Sequence, residues 1–169
     1  IPNVFNYGAS KALSVSQTGD DKVKKFDICF LGDADQNWQG SDVLADLARC
    51  NKALNIVHIG SGQFSEKNIT SMGVISDKGE YFRLLKQASV AVSALGLKRR
   101  SIMEAYPLKH ADYVACGLPI ISGAYDSLLI GRYDYCFIEN PTGQSVKDCF
   151  DDLCKKTVDS SLAYIEVEY

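Results

Sequence analysis

Apolar residues fall along this chain in short blocks, some continuous and some spaced by three or four. Phe26-Asp27-Ile28-Cys29-Phe30-Leu31-Gly32 is a compact apolar run closed by Gly and Asp, which predicts a buried strand. Residues 41–50 place Val43, Leu44, Leu47 and Ala48 at helical spacing, with Ser41 or Asp42 in position to cap the helix. Residues 54–59 read as a second strand, ended by Gly60-Ser61-Gly62, and residues 69–75 as a third, weaker one. Residues 80–88 form a helical pattern with Tyr81, Leu84, Leu85 and Ala88 on one face, and residues 90–95 a fourth strand. Residues 107–115 read as a helix with Pro107 in its first turn and Gly117 as its stop. Strands at 118–122 and 135–138 follow, then a helix over 145–158 with Val146, Cys149, Phe150 and Leu153 inward. Residues 1–25 lack periodicity and read as a linker into the domain.

Strands alternate with helices throughout. That pattern predicts an α/β fold, a Rossmann-like parallel sheet with helices on both faces. In such sheets a ligand lies beyond the carboxyl ends of the strands, where the strand order reverses. The residues that follow each strand are therefore the ones to read for chemistry.

Composition narrows the function classes. The chain has 169 residues, the size of one domain, and a formal net charge of -3, which argues against a nucleic-acid partner. No apolar run approaches the roughly 20 residues of a membrane-spanning helix. The sequence opens Ile1-Pro2-Asn3 with no Met and no signal peptide, which is expected of a piece of something longer. Cys29, Cys50, Cys116, Cys136, Cys149 and Cys154 are scattered, so they are expected as free thiols in a reducing compartment. His58 lies in an apolar strand and reads as a core or sheet-edge residue.

The informative stretch is residues 95–121. A basic loop, Lys98-Arg99-Arg100, is followed by Glu104 and then by the helix that begins at Pro107. A helix N-terminus presents unpaired N–H groups and partial positive charge, which suits a phosphate. Lys109 in the first turn is mildly disfavoured by the helix dipole unless an anion binds there. Lys109 and Asp112 are three apart and share a face. Two readings stand at this point: a phosphate site flanked by carboxylates, or a plain surface pair beside a solvated basic turn.

The same stretch resembles the donor-binding domain of retaining glycosyltransferases of the GT-B fold, family 4 type. Their pattern is a Glu, seven residues, and a second Glu that opens a phrase ending Gly-Leu-Pro-Val-Ile; here it is Glu104, seven residues, Asp112, then Tyr113-Val114-Ala115-Cys116-Gly117-Leu118-Pro119-Ile120-Ile121. The basic loop and Pro107-Leu108-Lys109 resemble a subset acting in bacterial polysaccharide assembly. Weaker landmarks agree: Ile1-Pro2-Asn3, Phe30-Leu31-Gly32, Val57-His58-Ile59-Gly60-Ser61-Gly62 and Gly73-Val74-Ile75.

The resemblance implies transfer of a sugar from a nucleotide-diphosphate donor, with retention, to a saccharide or lipid-linked acceptor. It implies that residues 1–169 are the donor domain, that the acceptor domain precedes it outside this chain, and that no metal cofactor is used. It implies a cytoplasmic location, with peripheral association at the inner face of the membrane for the longer protein. Glu104 inherits the contact to the transferred sugar, and Asp112, one methylene shorter than the usual Glu, the ribose hydroxyls. The backbone of Leu108 and Lys109 would face the diphosphate, Val74 and Ile75 the base, and Gly60 the donor generally.

The chain also departs from the pattern. Relatives place an Arg, and a Lys five residues later, after the first strand; here Gln39 stands at the Lys position and no Arg lies upstream. Arg99, Arg100 and Lys109 are the candidates to replace them. Asp33-Ala34-Asp35 has the spacing of a metal motif, but in a loop where the resembled family binds none. Two alternatives remain at this stage: a nucleotide-binding module without catalysis, and a sugar-nucleotide epimerase-like domain. A dinucleotide-dependent dehydrogenase does not fit, because no Gly-x-Gly-x-x-Gly follows the first strand.

Overall fold

The computed structural model describes residues 24–155. Six strands form one all-parallel sheet: β1 (Phe26–Leu31), β2 (Ile56–Ile59), β3 (Ile69–Ser71), β4 (Ala88–Val92), β5 (Ile120–Ser122) and β6 (Tyr135–Phe137), in the order β3-β2-β1-β4-β5-β6. The helices are α1 (Ser41–Cys50), α2 (Lys78–Lys86), α3 (Leu108–Ala115) and α4 (Gly143–Lys155). Short 3-10 turns, Asn37–Gln39 and Leu97–Arg100, follow β1 and β4. The second of these turns is the segment read from sequence as a basic loop.

The alternation within β1 shows how two cores are built. Ile28 and Phe30 point to one face, where Val43, Leu44 and Leu47 of α1 and Val146, Phe150 and Leu153 of α4 cover them. Cys29 and Leu31 point to the other, against Leu84 and Leu85 of α2 and Tyr113 of α3. Each such fully buried large apolar side chain contributes about 1.5–3 kcal/mol. The near-continuous apolar strands of the sequence are thus those of a sheet covered on both faces. The expected Rossmann-like architecture is the observed one.

Several boundaries differ for local reasons. β3 ends at Ser71 rather than near residue 75, because Gly73 turns the chain in the left-handed region (φ 73°). Gly40, not Ser41 or Asp42, occupies the N-cap of α1; the Ser41 hydroxyl donates instead to the Ala34 carbonyl at 2.6 Å. Pro107 is the N-cap of α3 rather than a first-turn residue. Of the linker read over residues 1–25, only Lys24 and Lys25 are among the described residues, and so is the final helix only as far as Lys155.

The reading of six free thiols is corrected for one pair. Cys136 on β6 and Cys149 on α4 form a disulfide across a sequence separation of 13. The packing of α4 over the sheet edge brings them together, and no short cysteine spacing announces it. Cys29, Cys50, Cys116 and Cys154 are free.

Candidate functional site

The strand order reverses between β1 and β4. Their ladder runs to Phe30 opposite Val92, after which the two chains part. Tyr113 of α3, fully buried, fills the opening: its hydroxyl accepts from the Leu31 N–H at 3.2 Å and donates to the Val92 carbonyl at 3.1 Å. One helical turn earlier, Lys109 Nζ donates to the Leu31 carbonyl at 2.6 Å. Both backbone polar groups of Leu31 are thus satisfied by side chains of one helix, on the side where the β4 ladder has ended.

Above this split lies a cavity of about 600 Å³. Leu31, Gly32, Ile59 and Gly60 bring strand ends to it, Val74 and Ile75 a segment beyond β3, and Pro107, Leu108, Lys109 and Asp112 the start of α3. Trp38, Gln39, Tyr81 and Tyr106 complete much of the wall. At Gly60 the backbone has φ 146°, and a Cβ there would stand 1.9 Å from the Gly32 carbonyl oxygen. Only glycine lets the ends of β1 and β2 approach so closely.

The polar groups of the cavity are few and specific. The Lys109 residue keeps some exposure along the wall, but its amine end is enclosed by protein, and burial pushes its pKa down to about 7. Besides Leu31, the amine donates to Gln39 Oε1 at 2.9 Å, and it lies 5.5 Å from the centre of the Phe30 ring. Asp112 Oδ2 accepts from the Tyr81 hydroxyl at 2.8 Å. Burial, and then the hydrogen bond to Asp112, raise the Tyr81 pKa, so the phenol holds its proton. Pro107 supplies no side-chain cap to α3, which leaves the first-turn N–H groups at the wall free of side-chain partners.

The structure brings together Gly60, Val74, Ile75, Leu108, Lys109 and Asp112, all read from sequence as donor-binding. It does not bring Arg99 to the same place. Arg99 forms a two-pronged pair with Asp42 at 2.9 and 2.7 Å and donates to the Asn37 carbonyl at 2.8 Å. The hydrogen bonding from Arg99 to Asp42 is the main reason the Asp42 carboxyl titrates below its ordinary range. Arg100 lies over the Trp38 ring, 5.2 Å from its centre, and Lys98 pairs with Glu139.

Glu104 is exposed and sits at the rim rather than in the wall. Its segment is stitched to the loop after β5: the Tyr125 N–H donates to the Met103 carbonyl and the Ala105 N–H to the Tyr125 carbonyl. The Tyr106 hydroxyl donates to Glu104 Oε1 at 2.5 Å, and this bond is the first cause of the lowered Glu104 pKa. Tyr106 lines the cavity, so it couples the rim carboxylate to the wall.

His110, next to Lys109, turns away from the cavity into the protein. Its Nδ1 is 2.8 Å from Asp126 Oδ2 and its Nε2 is 2.9 Å from Ser93 Oγ, all three residues being buried. His58 is also buried, with Nε2 2.9 Å from the Gly32 carbonyl oxygen and Nδ1 3.1 Å from Ser71 Oγ. Asp33 Oδ1 accepts from the Asp35 N–H at 3.0 Å, a local turn. Among the described residues no group of three or more His, Cys, Asp and Glu is placed to hold a metal ion.

Sequence reasoning missed Tyr81 and Tyr106 as cavity residues. Tyr81 packs against the second core on the face it shares with Leu84 and Leu85, and its long side chain also carries the hydroxyl to Asp112 at the wall. Tyr106 directly precedes Pro107, and that position before a helix start was the one available signal.

No protein-family model matches the sequence, and no curated protein does. Solved structures match the fold. The HepE protein of Anabaena, in complex with UDP-glucose, superposes with a TM-score of 0.64 at 12% identity, covering 88% of this chain and 46% of HepE. The C-terminal domain of LpcC, a group 1 glycosyltransferase from Francisella tularensis, gives 0.60 at 17% identity, covering 86% of this chain and 83% of that domain. WaaG, a glycosyltransferase of lipopolysaccharide biosynthesis, gives 0.56 at 13% identity, covering 96% of this chain and 45% of WaaG. The fold is therefore the six-stranded Rossmann-like sheet of GT-B glycosyltransferase domains, and the chain spans less than half the length of HepE and WaaG.

Proposed function

We propose that this chain is the donor-binding half of a retaining glycosyltransferase and that the cavity at the β1–β4 split holds a nucleotide-diphosphate sugar. The observation that carries the reading is convergence. A helix start without a side-chain cap, an enclosed amine and a carboxylate held by a phenol meet in one cavity at the reversal of strand order. In this reading the diphosphate lies against the first turn of α3 and Lys109, where developing charge on the leaving group is neutralised. Asp112 accepts from the ribose hydroxyls, Val74 and Ile75 cover the base, and Glu104 faces the sugar from the rim. Because Arg99 is committed to Asp42, the cationic role falls chiefly on Lys109. The fold neighbours support a UDP-sugar as donor, since HepE is described in complex with UDP-glucose. The acceptor, a saccharide or lipid-linked saccharide of a surface polysaccharide, is bound by a further domain.

Calorimetry with UDP, GDP and UDP-glucose tests this. One nucleoside diphosphate is expected to bind, and Asp112→Ala to weaken it about tenfold or more, since a hydrogen bond to a charged group contributes about 1.5–3 kcal/mol. Absence of binding by any nucleotide would sink the reading.

A further inference from the structure

We infer that a diphosphate enters this cavity together with a proton, which Lys109 takes up as the anion binds. The inference rests on the nucleotide reading above and adds the protonation step that reading leaves open.

The surroundings of the Lys109 amine decide its charge. Both of its hydrogen-bond acceptors, the Leu31 carbonyl and Gln39 Oε1, are neutral. An ammonium enclosed among neutral groups is disfavoured relative to water unless a counter-charge is present. The groups facing it do not supply one. On β1, Cys29 is a thiol whose burial raises its pKa, so it stays neutral. On the 3-10 turn after β1, Gln39 and Trp38 are neutral. On α2, Tyr81 keeps its proton. On α3 itself, Asp112 is the one carboxylate on the same wall; it accepts from the Tyr81 hydroxyl and forms no ion pair with Lys109, whose amine bonds Leu31 and Gln39 instead. The burial that lowers the Lys109 pKa has no carboxylate among its opposing causes.

The amine therefore awaits an anion. Well above neutral pH the empty cavity holds Lys109 largely as the neutral amine, with two neutral acceptors sufficient for it. A diphosphate beside it restores the preference for the ammonium, and the proton comes from solvent: R–NH2 + H+ gives R–NH3+, with no other bond made or broken. Affinity is then highest below the pKa of the empty site. It falls by up to tenfold per pH unit above it, until the pKa of the occupied site is reached.

The test is calorimetric titration of UDP into the full chain at pH 8.0, where the terminal phosphate, with its pKa of about 6, is already ionised. Two buffers of different ionisation enthalpy report the protons exchanged. Wild type is expected to take up close to one proton per UDP bound, and its affinity to fall several-fold between pH 7.5 and 8.5. Lys109→Met is expected to bind more weakly with no uptake. Because a variant at an enclosed position can perturb folding, a second readout uses the wild type: lysines labelled biosynthetically with 13C and 15N, their side-chain resonances followed by NMR. One resonance is expected to titrate near neutrality without UDP and well above it with UDP. Binding with no proton uptake, or uptake that persists in Lys109→Met, overturns the inference and leaves the nucleotide reading intact. Failure of wild type to bind UDP at any pH overturns both.

Discussion

Lys109 is an enclosed amine, and it links stability to pH even without a ligand. Its pKa is about 7 in the folded protein and 10.5 as the ordinary value. Between those values the unfolded chain holds a proton that the folded chain does not. Stability then rises with pH across that window, by up to about 1.4 kcal/mol per pH unit from this one group, and the gain is complete above the ordinary value. Other groups titrate too, so the difference between proteins carries the information. The urea midpoint of wild type is expected to climb more steeply from pH 7 to pH 9 than that of Lys109→Met. Equal slopes would mean that the amine is solvated in the folded state.

At the scale of the element, α3 is the piece on which the site depends. Tyr113 and Lys109, four apart, both reach Leu31, so one helix face closes the top of the β1–β4 split. Tyr113→Phe removes only an oxygen, yet it leaves the Leu31 N–H and the Val92 carbonyl buried without that partner. The expected loss is about 2–4 kcal/mol in urea unfolding, with faster hydrogen exchange at the Leu31 amide. A loss below about 0.5 kcal/mol would show that water replaces the hydroxyl. This face also marks how far the sequence could be read. The strand and helix order was legible because each element is a local pattern, and so was the start of α3 after Tyr106-Pro107. Lys109 and Asp112 could be placed on one face by their spacing of three, but their partners could not. Gln39 and Leu31 on one side and Tyr81 on the other come from elements far away in the chain. For the same reason Arg99 was read as free for a phosphate. Its carboxylate, Asp42, is 57 residues upstream in the first turn of α1 and meets the 3-10 turn that follows β4 only in the folded chain.

On the scale of the whole molecule, the sheet separates what stabilises its edge from what forms its site. The cavity sits at β1 and β4 in the middle of the order, while β6 lies at the far edge, held by β5 on one side only. All three β6 residues are only partly buried, so its packing is the weakest of the central-to-edge series from β4 to β6. The Cys136–Cys149 disulfide compensates by tying that edge to α4, whose Val146, Phe150 and Leu153 are anchored in the main core. A link that closes a loop of about 15 residues contributes about 3 kcal/mol, mostly by restricting the unfolded chain. Reduction is therefore expected to lower stability by about that amount in urea unfolding, with thiol formation followed by mass spectrometry. Affinity for UDP measured well below the unfolding transition is expected to stay within twofold. The disulfide lies two strands beyond β4, and neither cysteine lines the cavity. A reduced protein as stable as the oxidised one would show that α4 packing alone holds the edge. A reduced protein that kept its fold but lost UDP would show that the edge and the central split move as one unit.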